Sequence, residues 1–241
     1  MADYMKAEFL KQKHSFNNII IWLIPVIDIA ISIILMGPQF VQTASYNWWY
    51  VLFLPFTFTY ISASIIKKER KFNFHGLFGI IQDKKQLWLV KVGTATVYVF
   101  FSCLIFSVFV LLCGVVGNQQ IPVWDNLAAS AVLFLTFAWQ IPLLMFITLK
   151  VNMFLSVIAS IFCSLFLACI YAVGSFWWIP FAIPARLMCP IIKVLPNGLL
   201  LEAGNPLRHS GVILPGILTT VVLYLAVTFI TAKLFEKQEA A

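Results

Sequence analysis

The chain has 241 residues, of which 62% are apolar and 10% charged, against roughly 45–50% and 25% in soluble domains. That balance excludes a soluble globular fold, whose surface needs far more charge. The formal net charge of +7 lies on basic residues that flank apolar runs, the pattern of membrane orientation and not of nucleic-acid binding.

Residues 1–18 carry Lys6, Lys11 and Lys13. As a helix they put Met5, Phe9 and Phe16 on one side, as expected of an interfacial helix on a membrane surface. An apolar run then extends over Ile19–Gly37. It exceeds the 7–15 residues of a signal-peptide core and lacks a small-residue cleavage pattern, so it reads as a retained first span. Within it, in WLIPVIDIAISI, Asp28 is the one ionisable residue deep inside an apolar run. Such a residue is functional by default; the competing reading is a neutral Asp satisfied by neighbouring helices and by backbone groups that Pro25 frees.

A second span is expected over Trp48–Ile66, opening with Trp48, Trp49 and Tyr50. The segment 67–86, KKERKFNFHGLFGIIQDKKQ, is polar and basic around Phe72, Phe74 and Phe78. Asp83 followed by Gln86 matches a helix-start capping arrangement. Further spans are expected over Leu87–Val116, Leu127–Leu149, Phe154–Trp178 and Val212–Phe235. At about 20 residues each, six spans take on the order of 120 residues. The chain is therefore expected to be all-α, a single transmembrane domain over 1–241.

Between the fifth and sixth spans, the segment 179–211 and its flank hold prolines 180, 184, 190, 196, 206 and 215, among Phe181, Ile183, Leu187, Ile191, Ile192 and Leu199 to Leu201. An apolar but broken segment is expected to re-enter the membrane in part. Irregular backbone at that depth must be satisfied by protein or water.

Of 16 Lys and Arg, all except Arg186, Lys193 and Arg208 fall on the side of the N-terminus when the spans alternate. The positive-inside rule makes that side cytoplasmic, with both termini there. Seven tryptophans, Trp22, Trp48, Trp49, Trp88, Trp124, Trp177 and Trp178, stand near expected span ends, as interfacial rings do; Trp139 is mid-span.

Catalytic and metal-binding patterns are absent from the sequence. There is no G-x-x-x-x-G-K-[ST] phosphate loop, and His14, His75 and His209 are widely separated with no HExxH spacing. Cys103, Cys113, Cys163 and Cys169 lie in apolar runs without a CxxC pair, and read as small buried hydrophobes. No nucleophile with its base, and no carboxylate pair, points to a hydrolase. The chain is expected to be neither an enzyme nor a holder of a cofactor or metal.

The opening KAEFLKQKHSFNNIIIWLIP, the run YNWWYVLFLP and the segment KKERKFNFHGLFGIIQDKKQLWLVK carry a resemblance. With six spans and a broken apolar hairpin before the last, the whole chain resembles an ABC-2 type exporter permease, and more narrowly the lantibiotic immunity permeases of the nisin, subtilin and epidermin type. The resemblance implies a bacterial cytoplasmic membrane protein that pairs with a second permease chain, identical or homologous. Two cytoplasmic ATPase subunits would bind ATP and Mg and drive expulsion of a lantibiotic peptide. By position, Glu69, Arg70, Phe72, Phe74 and His75 would contact the ATPase through a coupling helix. The alternative for this segment, preferred for Lys67, Lys68, Lys84 and Lys85, is a solvated basic loop. Trp48, Trp49 and Tyr50 are candidates for peptide contact, against the commoner interfacial belt.

Other functions stay open. Related permeases move drugs or lipids on the same architecture; a proton-coupled carrier using Asp28 would work alone; a scaffold or sensor would bind peptide without moving it. The orientation is testable with reporters. Green fluorescent protein fused after Ala241 is expected to fluoresce, and alkaline phosphatase inserted after Asn118 to be active. The reverse pattern would invert the topology.

Overall fold

The structure, a computed structural model, describes residues 2–71 and 83–238, with the backbone alone at residues 2 and 68–71. Its described elements are helical: α1 (Ala2–Gln12), α2 (Asn17–Met36), α3 (Val41–Trp48), a π-helical segment (Trp49–Phe53), α4 (Leu54–Lys71), α5 (Lys84–Val116), α6 (Val123–Phe137), α7 (Gln140–Lys150), α8 (Met153–Tyr171), α9 (Ile183–Ile192) and α10 (Ile213–Glu236). Short 3₁₀ turns occupy Pro206–Arg208 and Ser210–Val212. Five helical stretches are long and apolar enough to cross a membrane, and a sixth if α6 and α7, bent by 41°, form one span. The chain thus has the make-up of a multi-pass α-helical membrane protein.

Where the helices break, the sequence supplies the reason. Proline has no N–H and crowds the carbonyl four residues back. Pro55 therefore cannot bond to Val51, and the turn before it widens: Leu54 N–H bonds to the Trp49 carbonyl, five residues back. The second span begins earlier than expected, at Val41, because the polar run of α3 continues into it without interruption. Pro142 likewise leaves the Ala138 carbonyl without its helical donor. The Ile141 N–H turns to that carbonyl instead at 3.0 Å, and the 41° bend follows. The fifth span is shorter than expected; α8 ends at Tyr171 and turns carry the chain past Trp178. The anticipated cap at Asp83 is present, its side chain accepting from the Gln86 N–H at 2.9 Å.

Each long helix buries one face and exposes the other. In α2 the buried residues Asn17, Ile20, Ile24, Pro25, Asp28 and Ser32 share one stripe, while Ile19, Trp22, Leu23, Val26 and Ile33 to Met36 are exposed. A bilayer suits that apolar outer face. On α8 the buried positions are Ser156, Ser160, Ser164 and Ala168, a stripe of small residues that lets α4 pack closely against it. Two of these serines also bond across helices: the Ser156 hydroxyl accepts from Thr148 at 3.0 Å, and Ser160 donates to Gln140 at 3.3 Å.

The α5–α6 connection is held by side chains of α3: Thr43 donates to the Gln120 side chain at 3.2 Å, and Gln42 makes three bonds. Buried Gln42 of α3 donates to the Val110 carbonyl at 3.0 Å and accepts from the Gln120 and Ile121 N–H groups at 2.7 and 3.0 Å. Next to it, Tyr46 donates to Asn126 and stands edge-on to Phe106. Asn126 in turn donates to Ser107. The short helix α9 is buried along its length and packs on α6; Arg186 reaches back to the Leu207 carbonyl at 2.8 Å. After α9 the left-handed Lys193, φ 58°, turns the chain, and its ammonium meets Asp125 at 3.5 Å.

Gln42→Ala removes three hydrogen bonds and strands two backbone N–H groups. It is expected to destabilise the fold by about 2–4 kcal/mol, read as a lower thermal unfolding midpoint in detergent. Gly114→Ala should have the same sign, because a Cβ there would overlap the Gln42 amide.

Candidate functional site

Two polar groupings stand out inside the helical bundle. The first begins on α1, whose Glu8 and Gln12 are buried while Lys6, Lys11 and Lys13 are exposed. The apolar residues of this opening segment turn onto neighbouring helices. Met5 lies against Gly93, Phe9 stacks on Tyr98 at 6.2 Å, and Phe16 meets Tyr60 edge-on at 6.0 Å. Gly93 has no side chain to hold α1 away from α5 at that point.

Within this contact, Lys91 of α5 is fully buried and its ammonium is 3.1 Å from Glu8 Oε2. Polar bonds continue from Glu8. Gln12 donates to Glu8 at 3.5 Å, Asn17 donates to Gln12 at 3.2 Å, and the Ser64 hydroxyl donates to Asn17 at 2.7 Å. Asn18 closes the α1–α2 turn by donating to the carbonyls of Gln12 and Lys13. One chain of side chains thus joins α5, α1, α2 and α4. Ser64 sits on the last turns of α4, immediately before the 67–86 segment.

The second grouping surrounds Asp28. Its side chain is wholly buried, and neither carboxyl oxygen makes a well-formed hydrogen bond. Ser45 of α3 stands beside it, and the Ser45 hydroxyl is also without a partner, as is Ser32 one turn along α2. Two helix irregularities adjoin the niche. Pro25 lies one turn before Asp28, and the π-helical segment begins one turn after Ser45. Polar groups left unsatisfied at this depth are costly, and they concentrate where a protein binds or moves something.

The remaining candidates named from the sequence separate. Trp49 and Tyr50 point into the core: Trp49 stacks on Phe106 at 4.3 Å, and Tyr50 donates to Asn47 at 2.9 Å. Trp48 is half-buried. Of the three rings considered for peptide contact, only Trp48 keeps part of its surface available in this conformation. Trp88, expected near a membrane surface, is also internal; its N–H donates to Thr231 at 3.0 Å. Glu69 and Arg70 lie on the final turns of α4, where side chains are not described, and Phe72, Phe74 and His75 lie outside the described residues. Among the described residues no three His, Cys, Asp or Glu side chains are grouped to hold a metal ion.

Sequence reasoning singled out Asp28 but missed the Glu8–Lys91 pair. Its only signal was an acid on α1 four residues before a Gln, and a lone Lys inside an otherwise apolar third span. No family model matches the chain, and no curated protein or solved structure matches it.

Replacing only Glu8 with Leu leaves the Lys91 ammonium without its buried carboxylate and is expected to destabilise the protein by about 3–5 kcal/mol. Glu8→Leu combined with Lys91→Met should restore most of the loss. Thermal unfolding of the two single variants and the double variant measures the coupling directly.

Proposed function

We propose that this chain is the membrane-spanning permease subunit of an ABC exporter that expels a lantibiotic-type peptide from the bacterial cytoplasmic membrane. Catalysis belongs to separate cytoplasmic ATPase subunits that bind ATP and Mg, and a second permease chain completes the pathway. In this reading both termini and the 67–86 segment face the cytoplasm, and the chain folds as an ABC-2 type permease.

The observation that supports the reading best is the polar chain Ser64–Asn17–Gln12–Glu8–Lys91. It ties together the two helices, α4 and α5, that frame the 67–86 segment. A permease driven from outside needs such a connection. A push delivered to a short coupling segment must move whole helices as a body, not bend one helix end. Buried ionic and amide contacts give α1, α2, α4 and α5 one preferred mutual arrangement. Glu69, Arg70, Phe72, Phe74 and His75 are assigned to the ATPase contact, where aromatic anchors in a partner groove would carry the force.

The unpartnered Asp28 favours one second reading, a single-chain carrier in which this carboxyl takes up a proton or cation during transport.

One experiment separates them. The chain is co-expressed with candidate ATPase subunits, and co-purification and survival of cells under the peptide are measured. The permease reading expects stable association with wild type. It expects loss of association and of protection in the Glu69→Ala, Phe72→Ala, Phe74→Ala variant with the membrane domain still folded, and protection retained in Asp28→Asn. The carrier reading expects no ATPase association and loss of activity in Asp28→Asn.

A further inference from the structure

Where α5 begins and α10 ends, lysines from two helices converge. Lys84 and Lys85 lie in the first turn of α5; Lys233 and Lys237 lie at the end of α10. Trp88 fixes the two helices together, through its hydrogen bond to Thr231 and a ring contact with Phe235 at 4.9 Å. Lys84 donates to the Gln238 carbonyl at 2.6 Å, which closes the end of α10.

Of the other amines, those of Lys85 and Lys233 stand around one aromatic ring. Lys85 Nζ stands 5.5 Å from the centroid of Phe229, and Lys233 Nζ stands 4.5 Å from it. Among the described residues neither of these two, nor Lys237, forms an ion pair. Two like charges drawn to one ring repel each other, so an anion between them would be stabilised by both. Beside the ring runs an open groove of about 600 Å³ lined by Phe229, Ile230, Lys233, Leu234, Glu236 and Lys237. Its floor is apolar and uncovered, with Phe229 50%, Ile230 55% and Leu234 44% exposed. Among the described residues the carboxylates here are Glu236 and the capping Asp83, against four lysines.

Depth defines the ligand. With 24 residues, α10 is about 36 Å long and exceeds the roughly 30 Å hydrocarbon core, so its last turns reach headgroup level. Amines at that level above an apolar floor match one chemistry: a phosphate with hydrocarbon attached. We propose that the α5–α10 junction is a binding site for an anionic phospholipid, with Lys85, Lys233 and Lys237 on the phosphate and Ile230 and Leu234 against the acyl chain. This assignment is independent of the transported substrate.

The test titrates detergent-purified protein with phosphatidylglycerol, with phosphatidylcholine of the same chains, and with glycerol 3-phosphate. Lipid retention is read by native mass spectrometry and stability by the thermal unfolding midpoint. Phosphatidylglycerol is expected to be retained and to raise the midpoint, phosphatidylcholine to do so far less, and glycerol 3-phosphate not at all. K85Q/K233Q should bind phosphatidylglycerol about thirtyfold more weakly, the effect of losing two juxtamembrane cations, and K85R/K233R should bind it as the parent does. Should the glutamine pair fail to fold, exposed K237Q carries the test alone with about fivefold weaker binding. Equal binding of the two lipids, or unchanged affinity in the folded glutamine variant, overturns the proposal. Stabilisation by glycerol 3-phosphate equal to that by phosphatidylglycerol overturns the lipid assignment in favour of a free-phosphate site.

Discussion

Hydrocarbon offers no hydrogen-bond partner, so a polar group inside a membrane bundle must find one within the protein or remain unsatisfied. Much of this chain's internal arrangement follows from that constraint. Gln42 could not be buried in α3 unless the α5–α6 connection presented two N–H groups and α5 a carbonyl at matching distances. Lys91 could not be buried in α5 without a carboxylate, and α1 brings Glu8 to it. Each polar residue thereby fixes the position of a segment distant in sequence. Apolar packing alone, which tolerates sliding, would fix it less sharply.

The same constraint gives meaning to the exceptions. Most threonines in the helices return their hydroxyls to a carbonyl three or four residues back, as Thr57, Thr59, Thr94 and Thr220 do. Asp28, Ser32 and Ser45 are without partners, as are Ser62, Ser102, Ser164 and Thr228 elsewhere in the bundle, and the first three occur together beside a proline in one helix and a π-helical segment in the next. Local departures from regular helix loosen the backbone where polar groups lack partners. Around Asp28 irregular backbone and unsatisfied polar groups coincide, which lowers the cost of local rearrangement there.

Seen from outside, the helices divide into two kinds. The stretch Val41–Lys67 is 78% buried over its apolar window, whereas the window in α10 is 11% buried. The first is the centre on which α2, α5, α7 and α8 pack, and it leads directly into the 67–86 segment. In the proposed exporter, force applied to that segment would enter at the most connected helix. The most exposed helix, α10, carries the proposed lipid contacts.

Much of this was legible in the sequence because it depends on local order. Apolar runs long enough to span, the Asp83 cap, the charge asymmetry of the loops and the isolation of Asp28 are properties of neighbouring residues. Pro55 and Pro142 stand in the sequence, but their apolar runs read as unbroken spans over Trp48–Ile66 and Leu127–Leu149; the widened turn, the 41° bend and the early start at Val41 came from the tertiary structure. Pairings across the chain were not legible: Glu8 with Lys91, Gln42 with Gln120 and Ile121, and Lys85 with Lys233 around Phe229. Nor was the inward turn of Trp49, Tyr50 and Trp88, since an aromatic ring near a span end satisfies a headgroup belt or a helix interface equally well by composition. The sequence by itself determined that this chain is a set of apolar helices, because solvent and backbone chemistry act residue by residue. Only the tertiary structure decided which polar side chains meet, because partners far apart in the chain are chosen by packing in three dimensions.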